Sequence, residues 1–230
     1  PGRHPAVLVF GGFENAARVL DLVHPSKPVV LASFDYPFKA PRRFKFPDSL
    51  RHAPDLKRAL HQSIEGVGAL ARALAARPDV DPRRITVIGA SFGSPFAVIA
   101  AADEPLISGL VVVHGFARLR ETAFERARGK LGTVGAWLLT ALGALYLDLP
   151  DPAESASRLR AEQRIWMLSA EEDRFVPRES SDALWEAIRG SPARSERRMM
   201  AGGHLMPGSD KLISEILRMA EGWMLAQGLL

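Results

Sequence analysis

One stretch constrains the fold more than any other: a short apolar run that ends in Gly-x-Ser-x-Gly and continues into an alanine-rich segment. Residues 84–93 are Arg-Ile-Thr-Val-Ile-Gly-Ala-Ser-Phe-Gly, and residues 94–102 have a helical composition. The β-branched side chains of residues 85–88 predict a buried parallel strand. A strand and a helix joined by so tight a turn would hold the hydroxyl of Ser91 above the edge of a sheet.

The glycines at positions 89 and 93 support this interpretation, because a Cβ at either position would collide with neighbouring backbone in a sharp turn. The amide-rich N-terminus of the following helix would favour negative charge near the serine. Gly-x-Ser-x-Gly alone is a weak pattern, and the alternative is a strand-to-helix turn in which Ser91 only caps the helix. The flanking strand and helix favour Ser91 as a nucleophile.

The composition is that of an ordinary globular protein. The chain has 230 residues, 47% of them hydrophobic and 24% charged, which suffices for one α/β domain. The net charge of +4 is spread along the chain, so no nucleic-acid partner is expected. The absence of cysteine excludes a disulfide scaffold, a thiol nucleophile and a cysteine-ligated metal, but it leaves the compartment open. The chain begins with Pro1 and lacks a signal-peptide pattern, so we expect a soluble protein, cytoplasmic or exported after N-terminal processing.

Apolar runs and amphipathic segments alternate along the chain, which predicts a doubly wound, mostly parallel α/β sheet of about six strands. The predicted strands are residues 6–10, 29–34, 85–88, 110–113, 165–169 and 195–200. The predicted helices are residues 14–23, 54–77, 94–102, 178–189 and 209–227. No repeat or linker divides the chain, so we predict a single domain over residues 1–230.

A serine hydroxyl needs a base, which is usually a histidine oriented by a carboxylate. His204 follows the last predicted strand in Ala-Gly-Gly-His, and such a loop can bring an imidazole over the serine. The alternative is a histidine in a surface loop. His114 also ends a strand near the serine and is the second candidate, although we expect it to line the substrate pocket.

The carboxylate should follow the strand at residues 165–169, where three acidic residues compete. Asp173 has the reach into the loop, and the Val-Pro pair after it would fix that loop before the next helix. Glu171 and Glu172 are more typical of solvated side chains. We therefore predict Asp173 as the acid that orients His204.

An oxyanion hole needs two backbone N–H donors, one of which follows the nucleophile. Phe92 occupies that position, and the second donor should come from Gly11-Gly12-Phe13 after the first strand. We predict Gly12 or Phe13. Alternatively, the glycines only make a turn, and Phe13 contributes a pocket side chain.

The order Ser, Asp, His, with each residue after a separate strand, resembles the α/β-hydrolase family. Asp81-Pro-x-Arg-Ile-x-Val-x-Gly-x-Ser-x-Gly and Asp173-x-x-Val-Pro are similar to motifs of its dienelactone-hydrolase-like and prolyl-oligopeptidase-like branches. The resemblance covers nearly the whole chain. It implies a serine hydrolase that needs no metal and no organic cofactor.

The chain departs from that family in four ways. It begins at what would be the third strand, so the first two strands are missing or trimmed. Phe10-Gly11 replaces the family's His-Gly before the oxyanion residue. The second oxyanion donor could therefore be either of two neighbouring residues, Gly12 or Phe13. The nucleophile is serine, whereas true dienelactone hydrolases use cysteine, and no propeller domain is present to indicate an oligopeptidase.

Residues 116–160 interrupt the alternation and predict an inserted helical cap. Its uncharged stretch, Leu131 to Leu147, lies at the lower limit for a membrane span, and we expect a buried or pocket-facing helix with no stable span. The large side chains there would line an apolar pocket, or would pack together or across a homodimer contact. They are Trp137, Leu138, Leu139, Leu142, Leu145 and Tyr146, of which Trp137, Leu142 and Tyr146 are predicted to bind substrate.

The sequence therefore predicts an esterase that cleaves small-molecule esters of short-to-medium acyl chains through an acyl-enzyme intermediate. A small peptidase or amidase with the same three residues is the second hypothesis. The third is a binding protein that keeps the fold without catalysis.

Overall fold

A six-stranded, all-parallel β-sheet forms the centre of the computed structural model, which describes residues 2–12, 17–37, 51–206 and 208–230. The strands are β1 (His4–Phe10), β2 (Val30–Ala32), β3 (Val80–Ala90), β4 (Gly109–Val113), β5 (Arg164–Ala170) and β6 (Arg194–Met200). Their order across the sheet is β2-β1-β3-β4-β5-β6. This topology confirms the predicted doubly wound α/β fold.

Six α-helices connect or flank these strands in the described part of the chain. They are α1 (Ala53–Ala75), α2 (Ser94–Asp103), α3 (Leu119–Leu147), α4 (Pro152–Ala156), α5 (Arg178–Gly190) and α6 (Asp210–Ala226). A 3-10 helix, Ala17–Leu22, stands where the sequence predicted an α-helix over residues 14–23, and residues 13–16 lie outside the described residues. At the other end of the chain, Gly228 has φ +71° just after α6, as expected of a glycine that ends a helix.

The apolar strands are buried on both faces, because helices cover the sheet from both sides. One core cluster joins the sheet to α1, α2, α4 and α5, and a second joins it to α6. In the second cluster, the rings of Trp166 and Trp223 stack with centroids 6.2 Å apart. Strand β6 is the polar edge, and its side chains are alternately exposed and half-buried along much of its length.

Strands β3 and β2 differ most in length from the prediction. Strand β3 begins at Val80 rather than Ile85, because the backbone of Val80 pairs with His4 before a register shift. Strand β2 is shorter than residues 29–34 and has a half-buried edge position.

Helix α3 contradicts the expectation of a buried or pocket-facing helix over residues 131–147. Only Ala136 and Thr140 are buried in it, whereas Val134 and Leu145 are each 80% exposed. The apolar composition predicted burial, but the inward face consists mostly of small residues, of which only Ala136 and Thr140 are buried. Gly132, at φ 68° and ψ 174°, interrupts the helix before this apolar half.

Candidate active site

Ser91 lies in a strained turn between β3 and α2. Its φ is +49°, in the left-handed region that non-glycine residues rarely adopt, and the 3-10 turn Ser91–Gly93 leads directly into the helix. A Cβ on Gly89 would lie 2.5 Å from the Cβ of Ala97, and a Cβ on Gly93 would overlap the carbonyl of Phe10. Both glycines are therefore required by the sharpness of the turn.

Three side chains from three loops meet at this turn. The Ser91 Oγ lies 2.7 Å from Nε2 of His204, and Nδ1 of His204 lies 2.7 Å from Oδ2 of Asp173. Since an ionised carboxylate only accepts, Nδ1 carries the hydrogen and Nε2 accepts from the serine hydroxyl. The structure thus brings together the three residues that the sequence singled out, in a relay from hydroxyl to imidazole to carboxylate.

The Asp173 carboxylate is held from two sides. Its Oδ1 accepts from the backbone N–H groups of Phe175 and Val176, each at 2.8 Å, while Oδ2 faces His204. Burial alone would raise the pKa of Asp173, but the hydrogen bonds from His204, Val176 and Phe175 lower it more, so the net pKa lies below its usual value. The group therefore stays ionised and keeps the imidazole oriented.

The loops that carry the acid and the histidine are joined by backbone hydrogen bonds. Glu171 N–H donates to the Met200 carbonyl at 2.9 Å, and Glu172 N–H donates to the Gly202 carbonyl at 3.0 Å. The side chains of both glutamates are exposed, in contrast to that of Asp173. Because β5 and β6 are adjacent and parallel, their C-terminal loops emerge side by side at Ser91.

His114 lies behind the carboxylate and outside the lining of the cleft beside Ser91, which differs from the expectation that it lines the substrate pocket. Its Nδ1 accepts from the backbone N–H of Leu205 at 3.0 Å and lies 3.9 Å from Oδ2 of Asp173. Its ring lines a separate cavity of about 310 Å³. Burial, and to a lesser degree the charge of His204, lowers the pKa of His114 to about 4, so its ring is neutral near pH 7.

The loop after β1, from which the second oxyanion donor is predicted, lies beside the serine turn. Gly11 and Gly12 line the cleft next to Ser91 and Phe92. The hydroxyl of Tyr36 donates to the Gly11 carbonyl at 2.9 Å, and burial of this phenol raises its pKa. Sequence reasoning missed Tyr36, because nothing local to it shows that it supports the loop.

Phe13, the other candidate for the second oxyanion donor, lies outside the described residues. Phe92 begins the helical turn after the serine, and its ring packs edge-on against Tyr36 and Phe96, with centroids 5.2 Å away in each case. Gly12 is exposed to the cleft, and a Cβ added to it would meet nothing within 4 Å.

A largely apolar cleft of about 720 Å³ opens beside the serine, between the sheet, the 3-10 helix and α6. Its apolar walls come from the strand ends, from α6 and from the loop around His204. They include Val19, Ile88, Val113, Phe175, Ile213 and Leu217. Asp21 and Asp210 supply negative charge at the lining.

The three cap side chains predicted to bind substrate lie elsewhere. Trp137, Leu142 and Tyr146 are exposed, and none of them is among the described residues that line the cleft. The physical reason is the course of α3: its end is tied to α1, where Lys57 Nζ donates to the Tyr146 carbonyl at 2.7 Å and His61 Nε2 lies 2.8 Å from the Leu147 carbonyl. The cleft lies instead on the α6 side of the sheet.

His114, Asp173 and His204 each offer an atom within 4.8 Å of the others, a spacing that could hold a metal ion. Both imidazoles already have hydrogen-bond partners. Nδ1 of His204 donates to Asp173, and Nδ1 of His114 accepts from Leu205. The cluster therefore forms a hydrogen-bonded chain from Ser91 through His204 to Asp173, with a neutral imidazole packed behind it.

Comparison with known proteins places the chain among hydrolases. No curated protein sequence matches it. Est1E from Butyrivibrio proteoclasticus superposes with a TM-score of 0.66 at 16% identity, covering 99% of this chain and 89% of that one. Acetyl xylan esterase 1 from Thermoanaerobacterium sp. JW/SL YS485 gives 0.63 at 16% identity, over 94% and 75%. Pyrococcus horikoshii acylaminoacyl peptidase gives 0.64 at 13% identity, over 97% of this chain and 37% of that one.

At these identities the structural matches establish the fold alone. The family model described as "Dienelactone hydrolase family" matches residues 48–202, which is more than half of the chain. That range contains both the serine turn and the acid loop. The chain thus belongs to the dienelactone hydrolase family and has its α/β-hydrolase fold.

Proposed function

We propose that the protein is a serine esterase that cleaves carboxylic esters through an acyl-enzyme intermediate. The observation that carries this proposal is the unbroken relay from Ser91 through His204 to Asp173, with 2.7 Å at each step. Family membership supports a hydrolase, and serine provides an oxygen nucleophile in a chain that has no cysteine.

In this mechanism the Ser91 Oγ attacks the ester carbonyl carbon while Nε2 of His204 takes the hydroxyl proton. Asp173 stabilises the imidazolium that forms. The carbonyl oxygen becomes an oxyanion, which would accept hydrogen bonds from the amides of Phe92 and of Gly12 or Phe13. Collapse expels the alcohol, which receives the proton from His204. Water then repeats the sequence on the acyl-serine, releases the acid and restores the hydroxyl.

The shape of the cleft supports a short-to-medium acyl chain as the group that enters. The cleft has a volume of about 720 Å³, which is more than an acetyl group would fill, and its walls are apolar. Asp210 and Asp21 make a negatively charged lining that would disfavour an anionic substrate. Because α6 supplies apolar side chains to the wall, the acyl chain would lie along this helix, and the alcohol would face the open side.

A small amidase or peptidase with the same relay is the second candidate. The specific observation in its favour is the similarity of the fold to an acylaminoacyl peptidase, of which this chain covers 37%. Amide cleavage uses the same atoms, and a general acid must then protonate an amine leaving group.

The test is a panel of p-nitrophenyl esters from acetate to dodecanoate, run beside the matching p-nitroanilides. We expect ester turnover that Ser91→Ala reduces by about a thousandfold or more, with unchanged far-UV circular dichroism. Ser157→Ala removes a hydroxyl from an exposed helix end and should leave turnover unchanged. Hydrolysis of anilides alone would favour the amidase, and activity retained in Ser91→Ala would exclude both.

A further inference from the structure

Helix α3 presents an unusually large apolar surface to solvent. Its second half, residues 131–147, contains no charged side chain. The exposed large side chains occupy about 200° of the helix circumference at 3.6 residues per turn. They are Leu131, Val134, Trp137, Leu138, Leu139, Leu142, Leu145 and Tyr146. Soluble proteins rarely leave so large a contiguous apolar surface uncovered, which indicates that it meets another surface.

Basic groups lie at both ends of this apolar surface. Residues 118–130 contain five basic and two acidic side chains, and Arg128 and Lys130 stand directly before the apolar half. At the far end, the Lys57 ammonium lies 5.3 Å from the ring centre of Tyr146. An apolar surface flanked by cations is complementary to a lipid layer with anionic headgroups.

The aromatic side chains on the surface fit the same partner. Trp137 is 56% exposed and Tyr146 is 43% exposed, and both combine an apolar ring with a polar atom. Such side chains concentrate at the boundary between headgroups and acyl chains. A second helix would cover a stripe of roughly 100°, so the wider arc fits a lipid surface better than a pair of facing helices.

The helix is suited to lie on a membrane rather than to cross it. By length and composition alone, Leu119–Leu147 could span one, with a mean hydropathy of 1.3 in its most apolar window and 11% of that window buried. Residues 131–147 are only about 25 Å long at 1.5 Å per residue, which is short of the roughly 30 Å hydrocarbon core. Gly132 interrupts the helix near the start of this half, and Lys57 and His61 tie its end to α1.

We propose that the apolar face of α3 docks on the surface of a membrane that contains anionic phospholipids. The charged half of α3 lies near the cleft, because Arg126 Nη2 donates at 2.5 Å to the carbonyl of Phe175, and the Phe175 ring lies 5.3 Å from that of His204. The apolar half ends instead beside α1. The proposal is independent of the esterase proposal, since docking needs none of the three relay residues. Ser91→Ala should therefore bind vesicles like the wild type.

Vesicle sedimentation with the full chain tests the proposal. We expect binding to vesicles of equal parts phosphatidylglycerol and phosphatidylcholine, and binding at least tenfold weaker to phosphatidylcholine alone. Leu138→Ser combined with Leu142→Ser should weaken binding at least tenfold, because both side chains point outward and would lose their burial in lipid. Arg128→Gln with Lys130→Gln should weaken it about tenfold at low salt. Met199→Ser, an exposed apolar site on β6, is the matched control.

Tryptophan emission gives a second signal. Of the other three tryptophans, Trp166 and Trp223 are buried and Trp185 of α5 is half-buried against the core. A blue shift on binding should therefore come from Trp137 and disappear in Trp137→Phe. The proposal is overturned if neither vesicle type binds, or if the double serine variant binds like the wild type. Light scattering gives the remaining outcome. If the 25.1 kDa chain is a dimer that the double serine variant dissociates, and vesicles do not bind, the apolar face contacts a second copy of the chain and the proposal is overturned.

Discussion

At the scale of single residues, the site depends on side chains that hold other groups in place. Ser91 keeps a left-handed backbone, with φ +49°, and His114 does the same one strand away. His114 fixes the loop that carries His204 through its bond to Leu205, and Tyr36 fixes the Gly11 loop. Strain of this kind persists only where surrounding contacts over-determine the conformation.

The low pKa of His114 makes a prediction about stability. Its pKa falls from 6.5 to about 4 on folding, so the unfolded chain binds the proton more readily. Above pH 6.5 this difference does not reduce the free energy of unfolding. As the pH falls to about 4, the free energy of unfolding decreases by roughly 3 kcal/mol. His114→Asn keeps an acceptor for Leu205 and tolerates a positive φ. Urea unfolding should show a smaller loss for this variant over that range, and equal losses would contradict the assignment.

The residue scale also shows what the sequence could predict of the site. Ser91 and Asp173 each follow an apolar run, and His204 follows the polar edge strand β6. Parallel strands bring their C-terminal ends to one edge. Tyr36 could not be found in this way, because its contact with Gly11 joins segments whose proximity depends on tertiary packing. The position of His114 behind the acid likewise follows from the sheet order and not from local pattern.

At the scale of elements, the turn between β3 and α2 is the most constrained part of the fold. The prediction concerns Gly93→Ala, whose new Cβ would overlap the Phe10 carbonyl. We expect a loss of about 3 kcal/mol in the free energy of unfolding. Gly222→Ala is the control, since its Cβ would meet nothing within 4 Å inside α6, and it should stabilise the protein by about 1 kcal/mol. Equal effects of the two changes would contradict this account of the turn.

Helix α6 forms one wall of the cleft, so it should set the acyl-chain preference. Leu217→Trp fills space along that wall, and we expect about a tenfold loss of kcat/KM for decanoate relative to acetate esters. Trp137→Ala changes an exposed position on α3 and should leave the chain-length profile unchanged. The reverse pattern would assign the pocket to the cap, as the sequence suggested.

The sequence predicted the elements unevenly, for identifiable reasons. Continuous apolar runs such as residues 110–113 predicted buried strands, because both faces of a parallel sheet are covered. The same logic failed for residues 131–147, where apolar composition leads to exposure instead of burial. Composition shows whether a segment is apolar, but only the packed structure shows whether another surface covers it.

At the scale of the whole molecule, the sheet keeps the candidate active site apart from the two packed cores. Its C-terminal edge gathers the relay and the loops around Ser91, while the helices on its two faces supply the cores. The long helix α3 leaves the loop after β4 beside this edge, and its apolar half lies along the surface. The fold class followed from the alternation of strands and helices, whereas the cleft followed from the way α6 and the 3-10 helix pack.

The hydrogen bonds from Ser91 through His204 to Asp173 should make the serine nucleophilic, and labelling with a fluorophosphonate probe tests this. Intact-mass spectrometry should show a single adduct on the wild-type protein and none on Ser91→Ala, because only an activated serine attacks phosphorus at a useful rate. His204→Ala should slow the labelling by about a thousandfold, since the hydroxyl then lacks its base. An unlabelled wild-type protein, or an adduct that persists in Ser91→Ala, would contradict the claim.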